Sequence, residues 1–308
     1  MPTVNITSTY AGEFSPEKYI AASLLAAPTL RKGLITVKPN VKYKTTVKNL
    51  VSSGLLQDST CDFTDAGTVT LTERVLETKA LQVNKILCKA DFREDWDAIS
   101  MGYSAYDNIP PSFQAFMLEH LVNQVAAENE VAVWRGSTAT GGSFDGLTTQ
   151  IALDAGLPAA QEIAGVVVTP TNVIAQLQSI HSAIPNTLFG KDDLHIYVSQ
   201  NIYRAYIQAL GHLGYIDRFN NQSFGEVVID GYKVVMVEGL ADNTAVAARK
   251  SNLWFATGIY NDTNVVKVID TADTLGDENV RIIMRMTAGT QYGHISEIVT
   301  YGIANAAN

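Results

Sequence analysis

The segment from Ser112 to Arg135 constrains the fold of this chain more than any other, because it reads as one long helix that needs a wall of protein to lie against. Pro110 and Pro111 lack amide donors and fit only the first turn, so they mark its start. Phe113, Met117, Leu121 and Val125 recur at four-residue spacing, with Phe116, Leu118 and Val122 beside them. That spacing predicts a stripe of core residues along one side. Gln114, Glu119, Asn123 and Asn129 fall on the polar side. Arg135 places a cation in the last turn, and Gly136 follows, a residue that can take the left-handed conformation and so signals a stop. At 1.5 Å per residue, about two dozen residues span roughly 36 Å, nearly the width of a small domain.

The chain has 308 residues, 46% hydrophobic and 17% charged, enough to bury a sizeable core in one large or two modest domains. Its longest apolar runs, such as Ile20 to Ala27, are too short to cross a bilayer. Met1-Pro2-Thr3-Val4-Asn5 lacks the basic start of a secretory signal, so synthesis in the cytoplasm is expected. Cys61 and Cys88 form no CxxC pair and are expected as reduced thiols. A net charge of -9 argues against sequence-independent binding of nucleic acid, which needs clustered cations. The charges are unevenly spread, however. Arg31, Lys32, Lys38, Lys42, Lys44 and Lys48 appear with no acid among them, whereas Asp270, Asp273, Asp277 and Glu278 gather near the C-terminus. Such asymmetry suits contacts between copies of the chain, and equally two solvated faces that never meet.

Residues 1 to 32 read as an arm with one short helix starting at Ser15-Pro16-Glu17. Partial alternation from Leu34 to Val51 returns at Thr68 to Thr72 and Leu81 to Leu87, with turn formers between. The simplest reading is a long two-stranded excursion, which has little core of its own and is expected to lie on a partner chain. Asp91 to Met101 reads as a short amphipathic helix. After the glycine- and threonine-rich loop from Gly136 to Gly146, a strand is expected at Val166 to Thr169 and a helix at Asn172 to Ile184. A strand at Leu194 to Val198 and a helix at Ile202 to Leu213 follow. A hairpin turns at Asp230-Gly231, and strands follow at Leu253 to Ala256, Val265 to Ile269, Val280 to Met286 and Ile295 to Tyr301. This mixture is α+β.

No catalytic or cofactor-binding constellation emerges. His120, His181, His195, His212 and His294 are dispersed, and no HExxH, GxSxG or Walker A pattern is present. The loop from Gly136 to Gly146 could cradle a phosphate, but it does not match GxGxxG and follows a helix where the dinucleotide motif follows a strand. Asp262-Thr263-Asn264 begins like a calcium loop yet lacks its glycine and terminal glutamate. No metal site is expected.

Taken in order, the parts resemble the major capsid protein of tailed double-stranded DNA bacteriophages, the Hong Kong 97-type fold. The resemblance rests on the arm, the extended loop, the long helix, and Phe144-Asp145-Gly146-Leu147 where that family has a glycine-leucine turn. It continues through Ala183-Ile184-Pro185, His195 to Ser199, Tyr203 to Tyr206, and the closing strands from Val280 to Tyr301. It implies an arm at 1–32, an extended loop at 33–90, a peripheral domain at 91–165 with a spine helix at 112–135, an axial domain at 166–255, and return strands of the peripheral domain at 256–308. It also implies pentamers and hexamers in an icosahedral virion shell around DNA that is contacted weakly, with assembly in the host cytoplasm. A separate scaffold protein, a portal and decoration proteins are implied partners. The basic residues from Arg31 to Lys48 are then expected at contacts between subunits. An encapsulin-like compartment shell shares the fold, and a mixed α/β enzyme using the Gly136 to Gly146 loop is a third reading.

Overall fold

A computed structural model describes residues 27–41, 43–59, 61, 65–88, 111–213, 227–258 and 265–306. The helices expected from Ser15 and from Asp91, and Lys42, lie outside the described residues.

The chain enters through a short helix, α1 (Pro28–Arg31), and a strand, β1 (Thr36–Lys38). β2 (Lys44–Ser53) and β3 (Thr68–Glu77) form an antiparallel ladder of their own. β4 (Lys79–Cys88) leaves that ladder for the body of the protein, so the two-stranded excursion is shorter than the sequence predicts: Leu81 to Leu87 pair instead with residues 280–286 of a later strand. The helix predicted from Ser112 is α2 (Pro111–Arg135), followed by α3 (Leu147–Ala152).

Two sheets organise the rest. Glu162–Ile163 (β5) opens a six-stranded sheet that also takes β6 (Leu194–Val198), β7 (Val227–Ile229), β8 (Tyr232–Met236) and β9 (Ala245–Arg249). Its helices are α4 (Val173–Ala183) and α5 (Gln200–His212). The other sheet contains β1, β4, β10 (Leu253–Thr257), β11 (Val265–Asp270) and the 14-residue β12 (Asn279–Tyr292). A short helix, α6 (Ala272–Leu275), joins β11 to β12. Val280 to Arg285 pair with both β4 and β11, and Ala288 with both β4 and β10. β4 therefore runs along one edge of β12 while β11 and β10 share the other, end to end. The last strand, β13 (Val299–Tyr301), grouped by the resemblance with the peripheral return strands, pairs with β9 in the six-stranded sheet.

Strands β6 and β9 are buried on both faces. Leu194, Ile196, Val198, Ala245 and Ala247 pack with Val173, Leu177 and Ile180 of α4 and with Ile202, Tyr203 and Tyr206 of α5. Tyr197, Val246 and Ala248 point the other way, into a core shared with Leu118, Val122, Val125, Val133 and Trp134 of α2 and with Phe255, Ile282 and Met284 of the other sheet. One sheet thus separates two cores.

Along α2, Leu118, Val122 and Val125 are buried and Leu121 is half-buried against the same core, as the stripe requires. The side chains of Phe113, Phe116 and Met117 lie outside the described residues. Asn129, read as polar-face, is instead buried, as is Glu130. Sequence spacing missed this because the C-terminal half of α2 is enclosed on several sides.

Glu130 fastens the entering chain to the helix. One carboxylate oxygen accepts the amide of Thr29 at 3.0 Å, the other accepts the Thr29 hydroxyl, and that hydroxyl accepts the indole N–H of Trp134 at 2.9 Å. Trp134 packs on Tyr197 with ring centroids 5.2 Å apart, and the Tyr197 hydroxyl donates to the carbonyl of Leu34 at 2.7 Å. Thr29 sits in the first turn of α1, where amides lack helical acceptors, so the carboxylate supplies what the local sequence does not. Burial raises the pKa of Glu130 despite these hydrogen bonds, and the nearby Glu238 raises it further.

Replacing Glu130 with Ala should cost about 1–3 kcal/mol of stability by stranding the Thr29 amide, measured by urea denaturation; Gln, which can still accept that amide, should cost less. A carboxyl whose folded pKa is raised binds more protons in the native state. Stability of the parent chain should therefore fall as pH rises through the window just above 4.5, and Glu130→Gln should remove that component.

Candidate functional site

The described residues contain no group of three or more His, Cys, Asp or Glu that could hold a metal ion. The histidines keep separate company: His181 lies against Phe189 and Tyr232, while His195 stacks on Tyr197 with Nδ1 3.0 Å from the Asp193 carbonyl. No described helix is long and apolar enough to cross a membrane.

The loop from Gly136 to Gly146 is closed on itself. Asp145 accepts the Thr138 amide at 2.7 Å and its hydroxyl at 2.9 Å, and the Gly146 amide donates to Gly136 at 2.9 Å. An amide that an incoming phosphate would need is therefore held by the loop's own carboxylate, which would also repel the anion. Gly136 does not use the left-handed conformation open to it. Its requirement is close approach: a Cβ there would stand 2.3 Å from the Phe144 carbonyl oxygen, and one on Gly146 2.6 Å from the Trp134 carbonyl. The turn serves to fold α3 back on α2, with the Thr148 hydroxyl donating to the Trp134 carbonyl at 2.6 Å.

The feature that stands out is the β2–β3 hairpin. Ten-residue strands at about 3.3 Å per residue give a ladder roughly 33 Å long. Its root is held firmly. Leu76 is fully buried, and Arg74 makes a 2.5 Å ion pair with Asp154 while lying over the Tyr292 ring. Tyr292 donates to the same Asp154 oxygen at 2.6 Å. Burial pushes the Asp154 carboxyl up, but Tyr292, the Gly156 amide and Arg74 outweigh it and hold the carboxyl below its usual range. Gly289 allows β12 to pass under the root, where a Cβ would stand 2.1 Å from the Glu77 carbonyl oxygen.

Beyond the root the strands of the hairpin are largely exposed among the described residues. The register places Lys44 opposite Glu77, Thr46 opposite Val75, Lys48 opposite Glu73, Leu50 opposite Leu71 and Ser52 opposite Val69, all on one face. Near the root this face carries ion pairs, Lys44 to Glu77 at 2.9 Å and Lys48 to Glu73 at 3.7 Å. Towards the tip it is apolar and exposed, with Leu50, Leu71 and Val69 each more than half accessible. In the tip, Leu56 is 99% exposed.

The predicted contact cations fall in different surroundings. Lys44 and Lys48 are engaged across the hairpin. Lys38 donates to the Thr45 hydroxyl and lies over the Trp254 ring. Arg31 and Lys32 are exposed at the end of α1. They are not one continuous patch. The cross-strand acids of β3 were legible only once the register was known.

No family model and no curated protein sequence matches the chain. Solved structures do match it. A chain of the satellite phage P4 procapsid, which includes the size determination protein Sid, aligns with a TM-score of 0.61 at 11% identity, over 94% of this chain and 90% of that one. The capsid of cyanophage A-1(L) gives 0.59 at 13% identity, over 91% and 93%. The capsid of cyanophage P-SCSP1u gives 0.56 at 13% identity, over 90% and 88%. The fold of this chain is the α+β Hong Kong 97-type capsid fold, and it extends over nearly the whole sequence.

Replacing Arg74 with Ala should remove a charge-assisted anchor of about 1–2 kcal/mol and raise the open population of the hairpin root about tenfold. Faster limited proteolysis between residues 44 and 77, with little change in global unfolding, is the expected result. The stability that the Asp154 cluster contributes should be present above pH 3.8 and lost as the pH falls through the lower folded value, a loss smaller in the Arg74 variant.

Proposed function

We propose that the chain is the major capsid protein of a tailed double-stranded DNA bacteriophage, assembling through pentamers and hexamers into an icosahedral shell. One observation carries this reading: a hairpin roughly 33 Å long, anchored at its root, leaves the pair Leu50 and Leu71 exposed, with Val69 and Leu56, among the described residues. A shell subunit gains from such an excursion, because extended arms bury area on neighbours that one compact face cannot offer.

In this reading the core around α4, α5 and the six-stranded sheet is the axial domain, and α2 with the β12 sheet forms the peripheral domain. β5 and β13, at Glu162–Ile163 and Val299–Tyr301, pair within the six-stranded sheet and are counted with the axial side in this reading, although they lie outside the 166–255 segment that the resemblance implies. The arm precedes Ala27, and the extended loop centres on the hairpin. The net charge of -9 suits a wall that encloses DNA and contacts it weakly. A separate scaffold protein is a proposed partner, as are a portal and decoration proteins; the P4 procapsid likewise includes a second protein. The product is located in the virion after assembly in the host cytoplasm. A compartment shell of the encapsulin type would use the same hairpin, and the contents of purified particles separate the two.

Expression of the full chain, alone and with a candidate scaffold protein, should yield closed particles or discrete pentamers and hexamers by negative-stain microscopy and sedimentation velocity. Replacing residues 48–73 with an Asn-Gly turn joins Val47 to Arg74, which face each other, and keeps the root. That variant should remain a folded monomer and fail to assemble. A monomeric parent chain under every condition, or normal particles from the shortened variant, would overturn the proposal.

A further inference from the structure

The sheet built on β12 has its two faces in different surroundings. Ile282 and Met284 point into the core shared with α2, so the residues that alternate with them, Arg281, Ile283 and Arg285, lie on the opposite face. The register sets Lys267 of β11 beside Ile283, and sets Gln82 and Asn84 of β4 beside Arg285 and Ile283. The three cations and both amide side chains are exposed. Isoleucines fill the other positions of this face within residues 82–86, 267–269 and 281–285, and no acid occurs among them.

None of the three cations makes an ion pair among the described residues. Arg281 is near enough to Asp277 to act on it electrostatically, but that carboxylate is held by the Thr271 hydroxyl and, at 3.0 Å, by the Asn279 side-chain amide. Arg31, Lys32 and Lys250 are exposed too, yet they sit at short helical turns where no strand register spaces them. On the sheet the spacing is fixed. Arg281 and Arg285 stand about 13 Å apart along β12, and Lys267 lies roughly 5 Å to the side at their midpoint. Side chains upright on a sheet at that spacing serve several separate anionic groups better than one small anion. An acidic protein segment would have to set three carboxylates in the same triangle. Duplex DNA needs no such register, since it carries a charge about every 1.7 Å of its axis.

We infer that this face meets the phosphate backbone of the enclosed duplex, with Arg281, Arg285 and Lys267 each taking a phosphate and Gln82 and Asn84 donating amide hydrogen bonds. The contact rests on the shell reading and gives its weak grip on DNA a location. Arginine forks match phosphate oxygens, and amide side chains contact phosphates without reading sequence. Three phosphates per subunit are few, and a net charge of -9 opposes approach from elsewhere on the surface. Three neutralised phosphates give a slope of about -2.7 for log affinity against log salt, which is a loss of about fortyfold between 50 and 200 mM.

The test is fluorescence anisotropy of a short labelled duplex of arbitrary sequence, titrated with the free full-length subunit from 50 to 200 mM salt. The parent should show the slope of about -2.7, and K267Q/R281Q/R285Q should weaken binding at 50 mM at least about tenfold with unchanged melting. R281K/R285K, which keeps the charges, should keep the slope, and R31Q/K32Q/K250Q should bind as the parent does. The K267Q/R281Q/R285Q chain should still form particles. No binding by the parent at 50 mM, or an unchanged slope in K267Q/R281Q/R285Q, would overturn the inference and leave the shell reading standing. Loss of particles by that variant with its DNA binding unchanged would likewise overturn it, and would assign the face to a protein partner. Absence of particles from the parent chain would overturn the shell reading, whatever the titration gives.

Discussion

Burial of β6 and β9 on both faces is the constraint on which the rest of the molecule depends. Each strand sends alternate side chains into different cores, so neither core can form without the sheet between them. The spine helix closes one side and α4 with α5 the other. Trp134 and Tyr197 make the join, and the entering chain is tied to that join through Thr29, Glu130 and Leu34. A buried carboxylate without a countercation is costly, and here the cost is offset by hydrogen bonds that satisfy an uncapped helix start. The chain before Ala27 and the hairpin after Tyr43 therefore both leave from a fixed base.

That base gives the hairpin its meaning. Isolated two-stranded ladders are marginal in water, and this one has a firm root, ion pairs along its inner half and exposed leucines along its outer half. The gradient runs from self-sufficient to incomplete. Under the proposed reading such an excursion is half of a contact whose other half lies on another molecule, and the solved chains that share its fold come from phage capsids.

Much of this was legible from residues alone. The prolines before Ser112 and the four-residue apolar spacing defined the spine helix, and Asp230-Gly231 defined a hairpin in which both residues take positive φ. What escaped has physical reasons. β9, Ala245 to Arg249, has no alternation because both its faces are buried, and its small residues favour a strand only in that setting. Val166 to Thr169 is extended but joins no ladder; the Val166 amide meets the Tyr301 hydroxyl and the Val168 amide meets Asn243, where a strand would offer carbonyls. The burial of Asn129 and Glu130 followed from packing on several sides of α2, which no single periodic stripe encodes. The basic run from Arg31 to Lys48 looked continuous because the pairing of Lys44 and Lys48 with β3 depends on register.

The central claim, that the outer hairpin is completed only by another copy, is tested most directly by hydrogen exchange of the hairpin amides in the free subunit and in assembled particles. Protection of the root near Leu76 in both states, with protection around Leu50 and Leu71 gained only on assembly, is the expected result. Equal exchange of the outer ladder in both states would contradict it.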